Sequence, residues 1–129
     1  MNRVAKLLKD AKIFFVATAD EDVPHVRPFG AIAECDGKIY LTTSSIKKCF
    51  EQMVRNPQVE IAAMLEDRKW IRVSGKVERS YDSDTKNSLI EKLSLQRHAD
   101  QTFEIMHFVD GIATIYNGGD VLESFNIYE

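Results

Sequence analysis

Cysteine is scarce in this sequence: Cys35 and Cys49 are the only two among 129 residues. Their spacing matches neither a zinc-binding nor a thioredoxin-like pattern, so both are expected as reduced, structural thiols. Long hydrophobic runs are also missing. None exceeds Ile13–Ala17 in length, against about 20 apolar residues needed to cross a bilayer. With no charged-then-apolar segment at its start, the chain is expected in the cytoplasm, away from membranes. Nor is there an excess of positive charge. The 17 Lys and Arg are outnumbered by 20 Asp and Glu, for a net charge of −3, which removes the broad basic field that sequence-independent nucleic-acid binding relies on. An oligonucleotide-binding barrel is disfavoured, and any anion site must be local. Gly-x-Ser-x-Gly and Gly-x-Gly-x-x-Gly patterns are absent, and His25, His98 and His107 lack metal-ligand spacing. Hydrolase, dinucleotide-fold and metal-centre readings therefore have no support.

What is present points to one packed domain over residues 1–129. The apolar fraction of 44% and charged fraction of 29% are ordinary for globular proteins. Val4, Leu7, Leu8 and Ala11 recur at helical spacing and predict a short amphipathic helix. Strands are predicted over Lys12–Ala19, about His25–Cys35, and Lys38–Thr43, the last two joined by the turn dipeptide Asp36-Gly37. A helix is predicted from Ile46 to Arg55, with Ile46, Cys49, Phe50, Met53 and Val54 on its apolar face and Asn56-Pro57 ending it. Val59–Glu66 and Ile71–Arg79 alternate as a second hairpin around Asp67-Arg68. Asp82 is placed to cap a helix that frays near His98. Two final strands are broken at Gly118-Gly119-Asp120, and Phe103–Asp110 is open between strand and loop. The expected fold is mainly β with flanking helices: six to seven antiparallel strands in a barrel, with closure favoured because it removes exposed edges.

The chemistry concentrates in Leu41-Thr42-Thr43-Ser44-Ser45-Ile46-Lys47-Lys48, where a strand hands over to a helix. With Ser45 as N-cap, Lys47 and Lys48 fall at the second and third helical positions, beside amides that already carry partial positive charge. Helix starts prefer Asp or Glu there. The two lysines make sense if an anion sits at the terminus, held by hydroxyls, amides and ammonium groups together, and a phosphate fits. Arg27 shares a face with Phe29, Ala31 and Ala33 by the period-two rule, and a guanidinium on an apolar row needs an acid or a bound anion. Pro28 cannot donate to a ladder and marks an edge or bulge where a flat ring could lie against backbone. Each feature has a plainer alternative: solvated lysines, an Arg27–Glu pair, ordinary turn chemistry in the hydroxyl run.

Taken in order, Arg27-Pro28-Phe29, the hairpin, Leu41-Thr42-Thr43, the helix from Lys47-Lys48 to Asn56-Pro57, and Trp70-Ile71-Arg72-Val73-Ser74-Gly75 resemble the pyridoxamine 5′-phosphate oxidase-related FMN-binding split barrels. The likeness spans nearly the whole chain. It implies an FMN cofactor whose phosphate and ribityl chain meet Arg27, Thr42, Lys47 and Lys48, with Pro28 and Phe29 bordering the isoalloxazine ring. The Thr43 and Ser44 hydroxyls join the candidate site as part of the same run. The resemblance also implies a homodimer with flavin at the subunit interface, where Trp70 would be covered by the partner or its flavin. The alternative for Trp70 is packing under the helix that follows Asp82. An FMN-dependent oxidoreductase acting on a small molecule is the implied activity, and a non-catalytic flavin-binding sensor or storage protein the alternative. A deazaflavin or haem replaces FMN in some relatives. The true oxidases hold substrate phosphate with an arginine and a histidine near the C-terminus. Ser124–Glu129 offers neither, which argues for a different substrate. Ile32 stands where those oxidases carry a phosphate-binding lysine.

Overall fold

The computed structural model describes residues 1–129. In chain order it contains α1 (Arg3–Ala11), β1 (Phe14–Asp20), β2 (Val23–Phe29), β3 (Ile32–Cys35), β4 (Lys38–Ser44), α2 (Lys48–Arg55), β5 (Gln58–Met64), β6 (Lys69–Ser80), α3 (Ser83–Lys92), a 3-10 turn (Gln96–His98), β7 (Phe103–Asn117) and β8 (Asp120–Asn126). Turn chemistry sets the hairpins. Asp36 and Gly37 adopt φ of 51° and 77°, the paired left-handed angles of a two-residue hairpin. Asp67 and Arg68 do the same at 56° and 66°, so the β5–β6 reversal forms without a glycine. The ambiguous stretch after Phe103 is strand: it is the first half of the 15-residue β7.

The eight strands form one antiparallel sheet in the order β2-β1-β5-β6-β7-β4-β3, with β8 pairing the second half of β7. This corrects two expectations. The stretch read as one strand from His25 to Cys35 is two, broken at Gly30-Ala31. The barrel is split, as the family resemblance implies, and not closed as the removal of edges alone would favour, because β2 and β3 are the two ends of the sheet and are joined by chain, not by a ladder. The break also resets the pleat. Arg27 pairs with Val16 and Phe29 with Phe14 on the inward face, but beyond the break it is Ile32 that enters the main core, and Ala33 packs into a separate cluster. The row expected to run from Arg27 to Ala33 is therefore not continuous.

Alternation along β5 and β6 buries Val59, Ile61, Ala63, Ile71, Val73 and Val77 inside the curl. The sheet alone leaves the ends of this core open. Val4, Ala5 and Leu8 of α1 close one part and Cys49, Phe50 and Met53 of α2 another, giving a contiguous cluster of 22 buried residues. Leu89 of α3 covers the opposite face of β4 and β7 with Cys35, Tyr40, Phe103 and Ile105. No helix is long and apolar enough to cross a membrane.

Where β6 crosses β7, Gly75 pairs with Gly111 and the register shifts just beyond, between Lys76 and Val77. A Cβ on Gly75 would lie 2.5 Å from the Asp110 carbonyl oxygen and 3.0 Å from the Phe108 ring. Backbone cannot yield as a side chain can, so Gly75→Ala is expected to cost about 1–3 kcal/mol, read as a lower urea midpoint.

His107 gives the fold a pH dependence. Its Nδ1 lies 2.5 Å from Ser80 Oγ and its ring 5.7 Å from that of Tyr40. Burial holds its pKa below the ordinary histidine value, reinforced by Lys38 and opposed by Glu78. The unfolded chain therefore takes up this proton at higher pH than the folded one. The contribution is fully present above the unfolded-state pKa and is lost as pH falls from there through the folded value. His107→Gln is expected to flatten that part of a stability-versus-pH curve; an unchanged slope would assign the dependence to other groups.

Candidate functional site

The site forms where the split in the sheet faces the start of α2. A cavity of 230 Å³ is lined by Arg27, Pro28 and Phe29 from the end of β2, Gly30 and Ala31 from the β2–β3 link, Thr42 from β4, and Lys47 and Cys49 from the helix start. Arg27–Phe29 pair only with β1, at the end of the sheet, and Gly30 and Ala31 with no strand, so this stretch is free to line a cavity on its open side. The lining carries one guanidinium, one ammonium and no carboxylate.

The helix start differs from the expected one. Lys47, not Ser45, is the N-cap, and no side chain accepts from the first amides. By contrast, Asn2 Oδ1 caps α1 through Val4 N and Ala5 N at 2.8 and 3.1 Å, and Asp82 Oδ2 caps α3 through Thr85 N at 2.9 Å. Ser45 is exposed. Ile46 lies outside the helix and is 80% exposed, so it does not belong to the buried face. The shift moves Lys47 to the cap and Lys48 to the first helical position, leaving an uncapped, positively polarised terminus.

Arg27 is half-buried. Its guanidinium donates to Thr18 Oγ1 at 2.7 Å, Gln52 Oε1 at 2.9 Å, and the carbonyls of Val16 and His25 at 3.3 and 3.4 Å. All four acceptors are neutral, and Arg27 enters none of the ion pairs of the chain. The Arg27–Glu pairing is therefore ruled out. Cys49 beside it is 6% exposed. Burial pushes its thiol pKa up, with Arg27 and Lys47 pulling it down.

The structure thus gathers Arg27, Pro28, Phe29, Thr42 and Lys47 and leaves other candidates outside. Lys48 is exposed and does not line the cavity. Thr43 alternates to the inner face of β4. Its Oγ1 is the one buried side-chain polar atom without a partner, but it is not part of the lining. Ser44 Oγ bonds Thr102 Oγ1 at 2.9 Å and accepts from Ile46 N at 3.4 Å, so it shapes the loop before Lys47. Trp70 lies on the outer face of the sheet. It stacks on Tyr116 with centroids 4.1 Å apart, donates to the Gly118 carbonyl at 2.9 Å and lies under Arg72. Packing beneath α3 is not its environment. Three residues missed in sequence belong to the site. Cys49 was read only as core, and Thr18 and Gln52 are polar positions that no periodicity marks; Gln52 signals itself only as an amide on the buried side of α2.

A larger cavity, of 650 Å³, lies between α1, the β5–β6 turn and β8. Size does not make it the anion site. Its lining includes Asp10, Glu66, Asp67 and Glu123 against Arg3 and Lys69, and Arg3 is already held by both Glu123 oxygens at 2.6 and 2.8 Å.

A split antiparallel barrel with a cationic pocket between its open seam and an uncapped helix defines the class of protein. The profile of the pyridoxamine 5′-phosphate oxidase family matches residues 2–109. A NimC/NimA family protein from Clostridium acetobutylicum is 34% identical in sequence, with 96% of this chain and 91% of that one covered and a TM-score of 0.88. The chain belongs to the pyridoxamine 5′-phosphate oxidase family. The fold is shared with an FAD-binding protein from Mesorhizobium loti (20% identity, 81% of this chain and 84% of that one, TM-score 0.61). It is also shared with HutZ, the heme storage protein of Vibrio cholerae (16% identity, 81% and 85%, TM-score 0.65). No curated protein matches the chain.

Proposed function

We propose that this protein binds FMN and is a flavin-dependent oxidoreductase acting on a small molecule, as a homodimer in the cytoplasm. The observation that carries the reading is Arg27, a guanidinium without a carboxylate partner, facing with Lys47 a pocket at an uncapped helix start. Charge of one sign gathered without internal compensation is stabilised by a ligand of the other sign. Arg27, Lys47, Thr42 and the first amides of α2 would hold the phosphate, and the backbone at Pro28 and Phe29 would border the ring. At 230 Å³ the pocket is smaller than the roughly 300–1,000 Å³ of complete small-molecule sites. That suits a phosphate and its ester chain, with the ring outside.

A second copy would supply the rest. The outer face carries Phe15, Val26, Met64 and Ile112, exposed by 48, 67, 65 and 48%, on the same side as Trp70 by strand register. An apolar face of this kind fits a self-complementary interface, from which the partner's sheet and its Trp70 could reach the flavin. When bound, FMN supplies the electron transfer, and the protein supplies binding, orientation and access. The free thiols of Cys35 and Cys49 accord with a reducing compartment.

A non-catalytic flavin sensor or storage protein is the second reading, favoured by a lining that includes no carboxylate or histidine. FMN titrated with apoprotein is expected to lose fluorescence, and the protein to gain melting temperature, because ligand binds only the folded state. Unchanged fluorescence and melting, or a purified protein that carries a haem band, would overturn the FMN assignment. Reoxidation of the photoreduced protein separates the two readings: an oxidoreductase passes electrons to at least one organic acceptor faster than to buffer oxygen.

A further inference from the structure

Arg27 is fixed by a closed triangle of hydrogen bonds. Its Nη1 donates to Thr18 Oγ1 at 2.7 Å, its Nη2 to Gln52 Oε1 at 2.9 Å, and Thr18 Oγ1 donates to the same Gln52 oxygen at 2.6 Å. Thr18 and Gln52 are only 3 and 7% exposed, so neither is a surface group that happens to drift into contact. A guanidinium has donors and no acceptor. The amide must therefore turn its oxygen toward Arg27, and the hydroxyl must accept from Arg27 and pass its own proton to Gln52. Every polar atom in the triangle has its role assigned by chemistry.

The neutrality of these acceptors is the informative feature. A glutamate at position 52 would match the amide in size and meet the same two donors with stronger, charge-assisted bonds. It would also cancel the Arg27 charge. Carboxylates are close by in the fold, since Asp20 and Glu21 of the β1–β2 turn line a small cavity together with Gln52 and Arg55. Gln52 thus shares a cavity with the acidic turn while its side-chain oxygen bonds Thr18 and the guanidinium. We infer that Gln52 and Thr18 are positioning residues whose neutral brace reserves the Arg27 charge for a ligand's anionic group, setting a preference for phosphorylated over unphosphorylated flavin. This inference rests on the phosphate site proposed above.

The test compares FMN with riboflavin, which lacks the phosphate, on the full-length protein. Gln52→Glu is expected to weaken FMN by about tenfold to a hundredfold, the range of one charge-assisted hydrogen bond, while riboflavin affinity stays unchanged. The melting temperature of the apoprotein should hold or rise as an internal ion pair forms. Thr18→Val gives a second arm that adds no charge: a smaller loss of FMN, again with riboflavin unaffected. In an Arg27→Gln background the charge-neutral substitution Thr18→Val should have no further effect on FMN, because the brace acts through Arg27. Equal weakening of both flavins, undiminished FMN binding, or additivity of Thr18→Val with Arg27→Gln would overturn the brace. Wild-type protein that binds FMN no better than riboflavin would instead contradict the phosphate site, and the brace would fall with it.

Discussion

Lys47→Glu is expected to weaken FMN binding by at least about a hundredfold, while the apoprotein melts within a degree or two of wild type. The substitution removes one charge-assisted contact, worth about 1.5–3 kcal/mol, and places a like charge beside the phosphate in a partly desolvated pocket. Stability is spared because Lys47 is exposed, pairs with no carboxylate and caps no amide through its side chain. A carboxylate at a helix start is favourable on its own, by about 0.3–1 kcal/mol. Lys48→Glu is the internal control. Lys48 is exposed outside the lining, so its loss should be several times smaller. Fluorescence titration of FMN against the two variants measures this directly, and equal effects would mean that the phosphate lies along the helix surface rather than in the pocket.

The second large effect concerns stability. Arg79 holds the carboxylate of Glu104 with both ends of its fork, at 2.7 and 3.0 Å, and its guanidinium lies over Phe50 and Tyr81 at 5.2 and 4.4 Å. Glu104 is 4% exposed. Arg79→Ala leaves that carboxylate buried with only Lys86, at 3.6 Å, and strips cover from Phe50 at the start of α2. Removing one partner of a buried pair costs about 3–5 kcal/mol. The lower end applies here, because the Arg79 side chain is 34% exposed and Lys86 remains. Restoring neutrality with Glu104→Gln in the Arg79→Ala background should recover part of the loss. Urea denaturation distinguishes this from a surface pair, whose removal costs about 0–1 kcal/mol and yields nothing to recover.

Much of the fold was legible because its signals are local. The alternation of β5 and β6, the Asp36-Gly37 turn and the Asp82 cap depend on neighbours a few residues away, and each appears where the pattern placed it. The break at Gly30-Ala31 was not legible. Continuous β-prone sequence on both sides gives no sign that β2 and β3 occupy opposite ends of the sheet, since the cause lies in strands contributed from elsewhere in the chain. The same break is what opens the pocket. Lys47 was found because two lysines at a helix start conflict with the macrodipole. Cap identity was missed by two residues, as Ser45 and Lys47 differ only in how the loop after β4 is held by Ser44 and Thr102. Thr18 and Gln52 carry no signal in one dimension; their role exists only once β1, β2 and α2 converge on Arg27.

The most direct measurement is a crystal structure of the protein grown with FMN. Phosphate oxygens at about 2.7–2.9 Å from the Arg27 guanidinium and the Lys47 ammonium, with the Arg27 contacts to Thr18 and Gln52 preserved, are the predicted result. Density for FMN in the 650 Å³ cavity beside α1, or none anywhere at saturating ligand, would contradict the account.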